Sequence, residues 1–135
     1  MADVKVGDKK ELRLVEDLSR TQIVQYAGAS GDYNPLHTDE VFATKVAGYP
    51  TVFAHGMLTM GITGRLLTDW LGAANLTAYG ARFVAQVWPG DTLTATATVE
   101  AVRDEDGQRY ADLSIVTVNQ RDEKVLTGTA TARIS

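Results

Sequence analysis

The chain has 135 residues, with Lys+Arg 13 against Asp+Glu 17, a formal net charge of -4 and no cysteine. That length suits one domain, residues 1–135, with a real core and little room for a second. The acidic balance excludes nucleic acid as a general partner, since a phosphate backbone selects clustered Lys and Arg, and the lack of cysteine excludes disulfides, thiolate nucleophiles and Cys-based zinc sites.

The N-terminal stretch from Met1 to Asp8 has no apolar run after a basic start. No secretory signal is expected there, and the expected compartment is the cytoplasm. Val4 to Val15 scatters β-branched residues around Gly7 and Asp8 and reads as one strand or two short extended pieces. Ser19 followed by Gln22 has the spacing of a capping box, and Ile23, Val24, Tyr26 and Ala27 continue a helical stripe that Gly28 and Gly31 end. Thr38 and Asp39 can cap a short helix through Val41, Phe42 and Ala43, broken by Gly48, Tyr49 and Pro50.

Val52 to Leu71 is the most apolar stretch. Phe53, Met57, Leu58, Met60, Ile62, Leu66, Leu67, Trp70 and Leu71 spread around most of a helical wheel, which predicts a helix buried on nearly all sides. His55, Arg65 and Asp69 interrupt it, so it does not read as a membrane span, and no membrane partner is expected. Gly56, Gly61 and Gly64 are costly inside a helix and predict that something approaches the backbone closely there, a packed strand or a ligand.

From Leu76 onward the apolar period becomes two. Ala81–Trp88, Thr92–Val102, Arg109–Val118 and Lys124–Ile134 read as strands, with turns at Pro89-Gly90-Asp91, Asp104 to Gly107 and Asn119 to Asp122. One long apolar helix followed by such a meander predicts an α+β fold, with a mainly antiparallel curved sheet wrapped around the helix.

The segment with chemistry in it is Ser30-Gly31-Asp32-Tyr33-Asn34-Pro35-Leu36-His37. Pro35 fixes its own φ and pushes Asn34 out of the α region, and Gly31 opens backbone angles closed to other residues. The segment therefore reads as a stiff loop, not a regular helix, holding Asp32 and His37 as an acid/base pair that can work near neutral pH. Taken alone, such a pair more often serves the backbone than catalysis. Asp32, His37, Asp39 and Glu40 match no established ligand spacing, so no metal is expected. Gly28 to Gly31 follows a helix where a dinucleotide loop would follow a strand, and no nucleophile elbow is present.

With Tyr26-Ala27-Gly28-Ala29 before it and Ala54-His55-Gly56-Met57 after it, this run resembles the MaoC-like family of (R)-specific enoyl-thioester hydratases and hydroxyacyl-thioester dehydratases. The resemblance extends over nearly the whole chain. It implies a single hot-dog fold and a hydro-lyase that interconverts (3R)-3-hydroxyacyl and trans-2-enoyl thioesters of coenzyme A or acyl carrier protein, without a cofactor. Asp32 and His37 map onto the family's catalytic pair, and the chemistry leaves open which of them makes each proton transfer, because coupled groups titrate as a unit. Asn34 and Pro35 orient the loop. Gly56 maps onto an oxyanion site at the start of the apolar helix, although a glycine needed for close packing has equal support from the sequence. His55 is placed as a supporting histidine in preference to a proton donor. Phe53, Met57, Leu58 and Met60 offer an acyl-pocket wall, and Gly64, where some relatives carry serine, is expected to leave that wall recessed.

The stretch Ala54 to Gly61 looks especially like the catalytic B-type subunit of the two-component dehydratases of bacterial fatty acid elongation. Either a homodimer or a heterodimer with a second hot-dog chain follows, because a wrapped sheet leaves an open edge that needs pairing. An acyl thioesterase is the main rival, since one fold hosts both reactions. A non-catalytic thioester-binding subunit is the other, and the intact Asp32 and His37 argue against it.

Overall fold

Leu93, Ala95, Ala97 and Val99 alternate with Thr94, Thr96 and Thr98, so one face of this stretch is apolar and the other hydroxylated. The computed structural model, which describes residues 1–135, buries the first set and half-exposes the second. This stretch begins β3 (Leu93–Glu105) of a five-stranded sheet whose other members are β1 (Lys9–Val15), β2 (Leu76–Phe83), β4 (Gln108–Val118) and β5 (Lys124–Ile134). The order is β1-β3-β4-β5-β2 and every pairing is antiparallel. Each of the four ladders carries one register shift, and such bulges bend a sheet.

The bent sheet wraps α3 (Gly56–Leu71), the long helix expected from the apolar stretch. Opposite the helix the inner face is largely alanine, with Ala95, Ala97, Ala111, Ala130 and Ala132 all buried, which lets Leu66, Leu67 and Leu71 seat deeply. Each such leucine contributes about 1.5–3 kcal/mol by leaving water. At the same contact Thr63 of α3 and Thr117 of β4, both fully buried, satisfy each other through a 2.8 Å hydroxyl–hydroxyl hydrogen bond. The α+β, helix-in-curved-sheet arrangement is the one the change of period predicts.

Four details differ from the sequence expectation. α3 buries one face, not nearly all sides: Met57, Gly61 and Asp69 are exposed, and nothing approaches Gly61. β2 runs over Leu76–Phe83, where Ala81–Trp88 was expected, and it crosses the sheet to pair with β5 and not with its neighbour in sequence, β3. After Phe83 only Val84 N–H still reaches β5, at Val125 O (2.9 Å), and the chain then turns so that Val87 O accepts Ala54 N–H (2.8 Å). The helix expected after Thr38 is a π-turn over Phe42–Val46, capped by Asp39 Oδ1 on Phe42 N–H (3.1 Å).

The fourth difference lies in the Asp/His segment itself. α1 (Arg20–Ser30) starts at Ser19 with the expected capping box and runs through Gly28 to Gly31, whose φ of 77° closes it in the left-handed region. The chain does not stay irregular from there. Pro35 opens a one-turn helix, α2 (Pro35–Thr38), because its missing N–H costs nothing at a first helical position. His37 thus sits on a helical turn. No helix of the protein is long and apolar enough to cross a membrane.

Candidate active site

Short side chains build the segment after α1 by bonding backbone two residues ahead. Ser30 Oγ accepts from Asp32 N–H (3.1 Å), Asp32 Oδ1 from Asn34 N–H (3.2 Å), and Asn34 Oδ1 from Leu36 N–H (3.0 Å). This is the local side-chain to backbone bonding that Ser, Asp and Asn favour in turns. Asn34 is thereby the N-cap of α2, and with Pro35 it aims His37 inward.

A second segment, Thr51 to His55, is laced to the first. Phe53 N–H donates to Leu36 O (3.3 Å), His37 Nδ1 meets Phe53 O at 2.6 Å, and His55 Nε2 meets Asp32 O at 3.0 Å. Glu40 fastens the far end by accepting from Thr51 Oγ1 (2.8 Å), Val52 N–H (3.3 Å) and Arg20 Nη1 (2.7 Å). The Thr51 bond foremost, then that from Arg20, holds the Glu40 carboxyl below the usual range.

These contacts assign the imidazole protons, because a carbonyl oxygen can only accept. His37 carries a proton on Nδ1, and its Nε2 has no hydrogen-bond partner within the chain. His55 carries its proton on Nε2 and leaves Nδ1 buried without a partner. The two rings stack at 3.9 Å and 26°, and Tyr26 packs edge-on against His55 at 4.8 Å. Burial is the main cause of a lowered His55 pKa, so this ring stays neutral and can rest against His37 without charge repulsion.

Asp32, His37 and His55 each bring a ligand-type atom within 4.8 Å of the others. The stacked histidines fit a zinc ion poorly. Ring planes only 26° apart send their in-plane lone pairs side by side, whereas a zinc ion at about 2.0–2.1 Å from two nitrogens needs them to converge. Asp39 Oδ1 accepts from Phe42 N–H of the π-turn, and Glu40 Oε2 is engaged in the Thr51 clamp.

Beside the laced segments lies a cavity of about 300 Å³, within the range of small-molecule sites. Its walls include Phe53, Gly56, Thr59, Phe83, Val84 and Val125. Phe53 joins it to the histidine, its ring edge-on to His37 at 5.1 Å. Gly56 is the first residue of α3, whose N-cap His55 gives no side-chain cap, so the positive end of the helix begins at a residue of the cavity wall. A Cβ at Gly56 would lie 2.8 Å from the Phe83 ring, so close packing also requires glycine here.

Of the residues expected to wall an acyl pocket, Phe53 lines the cavity. Met57 projects into solvent, while Leu58 and Met60 pack against the core. Gly64 leaves no recess: the Tyr79 ring sits 3.3 Å from where its Cβ would be, and Tyr79 OH donates to Met60 O (2.7 Å). Burial pushes that phenol up to about 12. Thr59 and Phe83 are wall residues that the sequence reading missed. Thr59 was findable, since it lies three residues after Gly56 on the same helical face. Phe83 reaches the site only through the β2–β5 pairing, which no local pattern announces.

A sequence-family model described as MaoC like domain matches residues 3–120. The chain is 52% identical over 68 residues to 3-hydroxyacyl-thioester dehydratase Y of Mycobacterium tuberculosis, covering 48% of this chain and 23% of that protein. It is 36% identical over 99 residues to the (R)-specific enoyl-CoA hydratase of Rhodospirillum rubrum, covering 72% of this chain and 67% of that one. Among solved structures, the (R)-hydratase from A. caviae involved in PHA biosynthesis superposes with a TM-score of 0.77 at 28% identity over 98% of both chains. The chain spans between about a quarter and a third of the length of several curated relatives it matches.

Proposed function

Because the chain belongs to the MaoC-like domain family, a membership carried by residues 3–120, we propose that residues 1–135 act as one hot-dog hydratase domain. Its reaction is the interconversion of trans-2-enoyl and (3R)-3-hydroxyacyl thioesters in fatty acid metabolism, on coenzyme A or acyl carrier protein, in the cytoplasm. The observation that carries the reading is that Asp32 and His37 bring proton-transfer groups within 4.8 Å of each other, with Asp32 Oδ1 and His37 Nδ1 each held by a backbone partner from the two laced segments.

In the hydration direction a water held between Asp32 and His37 adds its oxygen to C3. The C2=C3 π pair moves toward the carbonyl, and a proton is delivered to C2. The Asp32 and His37 pair takes one proton from the water as the O–C3 bond forms and returns one proton to C2, while the water's other proton stays on the new hydroxyl, so the residues end as they began. Negative charge grows on the thioester oxygen in between, where Gly56 N–H at the α3 terminus can receive it. Both catalytic groups act on one water, so their losses do not add.

A second hot-dog chain, identical or not, completes the assembly. β1 and β2 are the free edges of the sheet. β1 is guarded by Lys9, Lys10, Glu11 and Arg13, whereas β2 carries a single charge, Arg82. Charged edges resist pairing, which favours β2 as the joining strand. Exposed Tyr33, Met57 and Phe83 lie near the catalytic loop, the α3 terminus and the β2 end, as an uncovered interface would.

The test is a purified chain with a short enoyl-CoA, following loss of the conjugated absorbance and, in parallel, thiol release. Absorbance loss without thiol release is expected. Thiol release alone would make the protein a thioesterase. Inactivity relieved only by a second hot-dog chain would select the heterodimer.

A further inference from the structure

Gly56 and Phe83 come from distant parts of the chain, one at the start of α3 and the other at the end of the edge strand β2. An ideal Cβ on Gly56 would lie 2.8 Å from both Cδ2 and Cε2 of Phe83 and 3.1 Å from Cγ. Carbon atoms rest at about 3.5–4.0 Å, so the ring already fills the space that any side chain at position 56 would need. Its backbone is pinned, since the next residue donates from Val84 N–H to Val125 O at 2.9 Å. Phe83 is 47% exposed, and its ring lies against the helix terminus as part of the cavity wall.

A thioester oxygen accepting from Gly56 N–H sits about 2.9 Å from that nitrogen. C2 is two bonds from the oxygen, about 2.4 Å away. A substituent on C2 that lies on the same side as that oxygen points back toward the start of α3, where the Phe83 ring already occupies the place of a Gly56 Cβ. Conjugation keeps that substituent in the plane of the enoyl carbonyl, and the only other conjugated placement, a half-turn about C1–C2, would carry C3 away from the water held by Asp32 and His37. We infer that Phe83 is a specificity-determining residue whose ring admits thioesters unbranched at C2 and rejects those carrying a methyl group there. The inference rests on the hydro-lyase reading and on Gly56 receiving the thioester oxygen.

The experiment measures kcat/KM for trans-2-butenoyl-CoA and trans-2-methyl-2-butenoyl-CoA with the assembled wild-type protein, Phe83→Ala and Phe83→Leu. A methyl group in a filled pocket is worth about 10–200-fold in discrimination. The wild type should disfavour the branched substrate by more than the intrinsic effect of the methyl group, and Phe83→Ala should shrink the ratio about tenfold or more, with Phe83→Leu between them. Comparing variants cancels the intrinsic effect, and the leucine variant keeps the test open if alanine disturbs folding. A ratio unchanged in folded variants that still hydrate the unbranched substrate, or equal use of both substrates by the wild type, overturns the filter alone. No hydration of either substrate by the wild type overturns the hydro-lyase reading and the filter with it.

Discussion

Replacing His55 with alanine should damage the site through its architecture. His55 is 2% exposed, donates from Nε2 to Asp32 O at 3.0 Å, and carries the His37 ring stacked at 3.9 Å. Losing the hydrogen bond costs about 0.5–1.5 kcal/mol. Emptying the space of a buried side chain of this size adds a cavity cost, bringing the total to about 3 kcal/mol. At about 2.1 cal/mol/K per residue, unfolding 135 residues changes entropy by about 0.28 kcal/mol/K, so Tm should fall by about 10 °C. Circular dichroism melts of wild type, His55→Ala and His55→Gln give the comparison, with glutamine recovering part of the loss because its amide can still donate to Asp32 O. Enoyl-CoA hydration by the alanine variant should show kcat reduced more than KM is raised, as expected if Asp32 and His37 lose their alignment. A Tm within about 2 °C of wild type together with unchanged kcat would refute the lacing argument.

Further outcomes follow from other contacts. Thr117→Val should cost about 1–3 kcal/mol in denaturant unfolding by orphaning the Thr63 hydroxyl, whereas Thr63→Val with Thr117→Val should be nearly neutral. A double variant worse than the single would remove the hydroxyl pair from the account. The His55 pKa is lowered in the folded protein, so the unfolded chain binds protons first as pH falls below its ordinary value of about 6.5. Stability contributed by neutral His55 is therefore complete above that value and declines below it. Denaturation midpoints at pH 7.5 and 5.5 should show a drop that His55→Gln reduces, and equal drops in both proteins would assign the dependence elsewhere.

Local rules made much of this molecule readable. Ser19 and Gln22 announce α1, Gly31 its end, and the threonine–alanine alternation after Leu93 the inner face of β3. What they could not supply was long-range pairing. Nothing near Leu76–Phe83 says that this strand crosses to β5, and the crossing is what carries Phe83 onto Gly56 and Tyr79 onto Gly64. A glycine that looks like open space in sequence is filled in the fold by a ring from a distant strand. The site divided in the same way: Asp32, Asn34, Pro35 and His37 were legible because they are contiguous. The Phe53 carbonyl that meets His37 Nδ1 was not, because no local pattern pairs a backbone oxygen with a ring 16 residues away.

The most direct measurement is the hydration rate of a short trans-2-enoyl-CoA by the wild type and by Asp32→Asn, followed by loss of the conjugated absorbance. Asparagine keeps the oxygen that accepts Asn34 N–H but cannot take up a proton. The acid/base account predicts a rate lower by about 10²–10⁴-fold in a protein whose melting temperature is close to wild type. A folded Asp32→Asn protein that hydrates the substrate at the wild-type rate would contradict it.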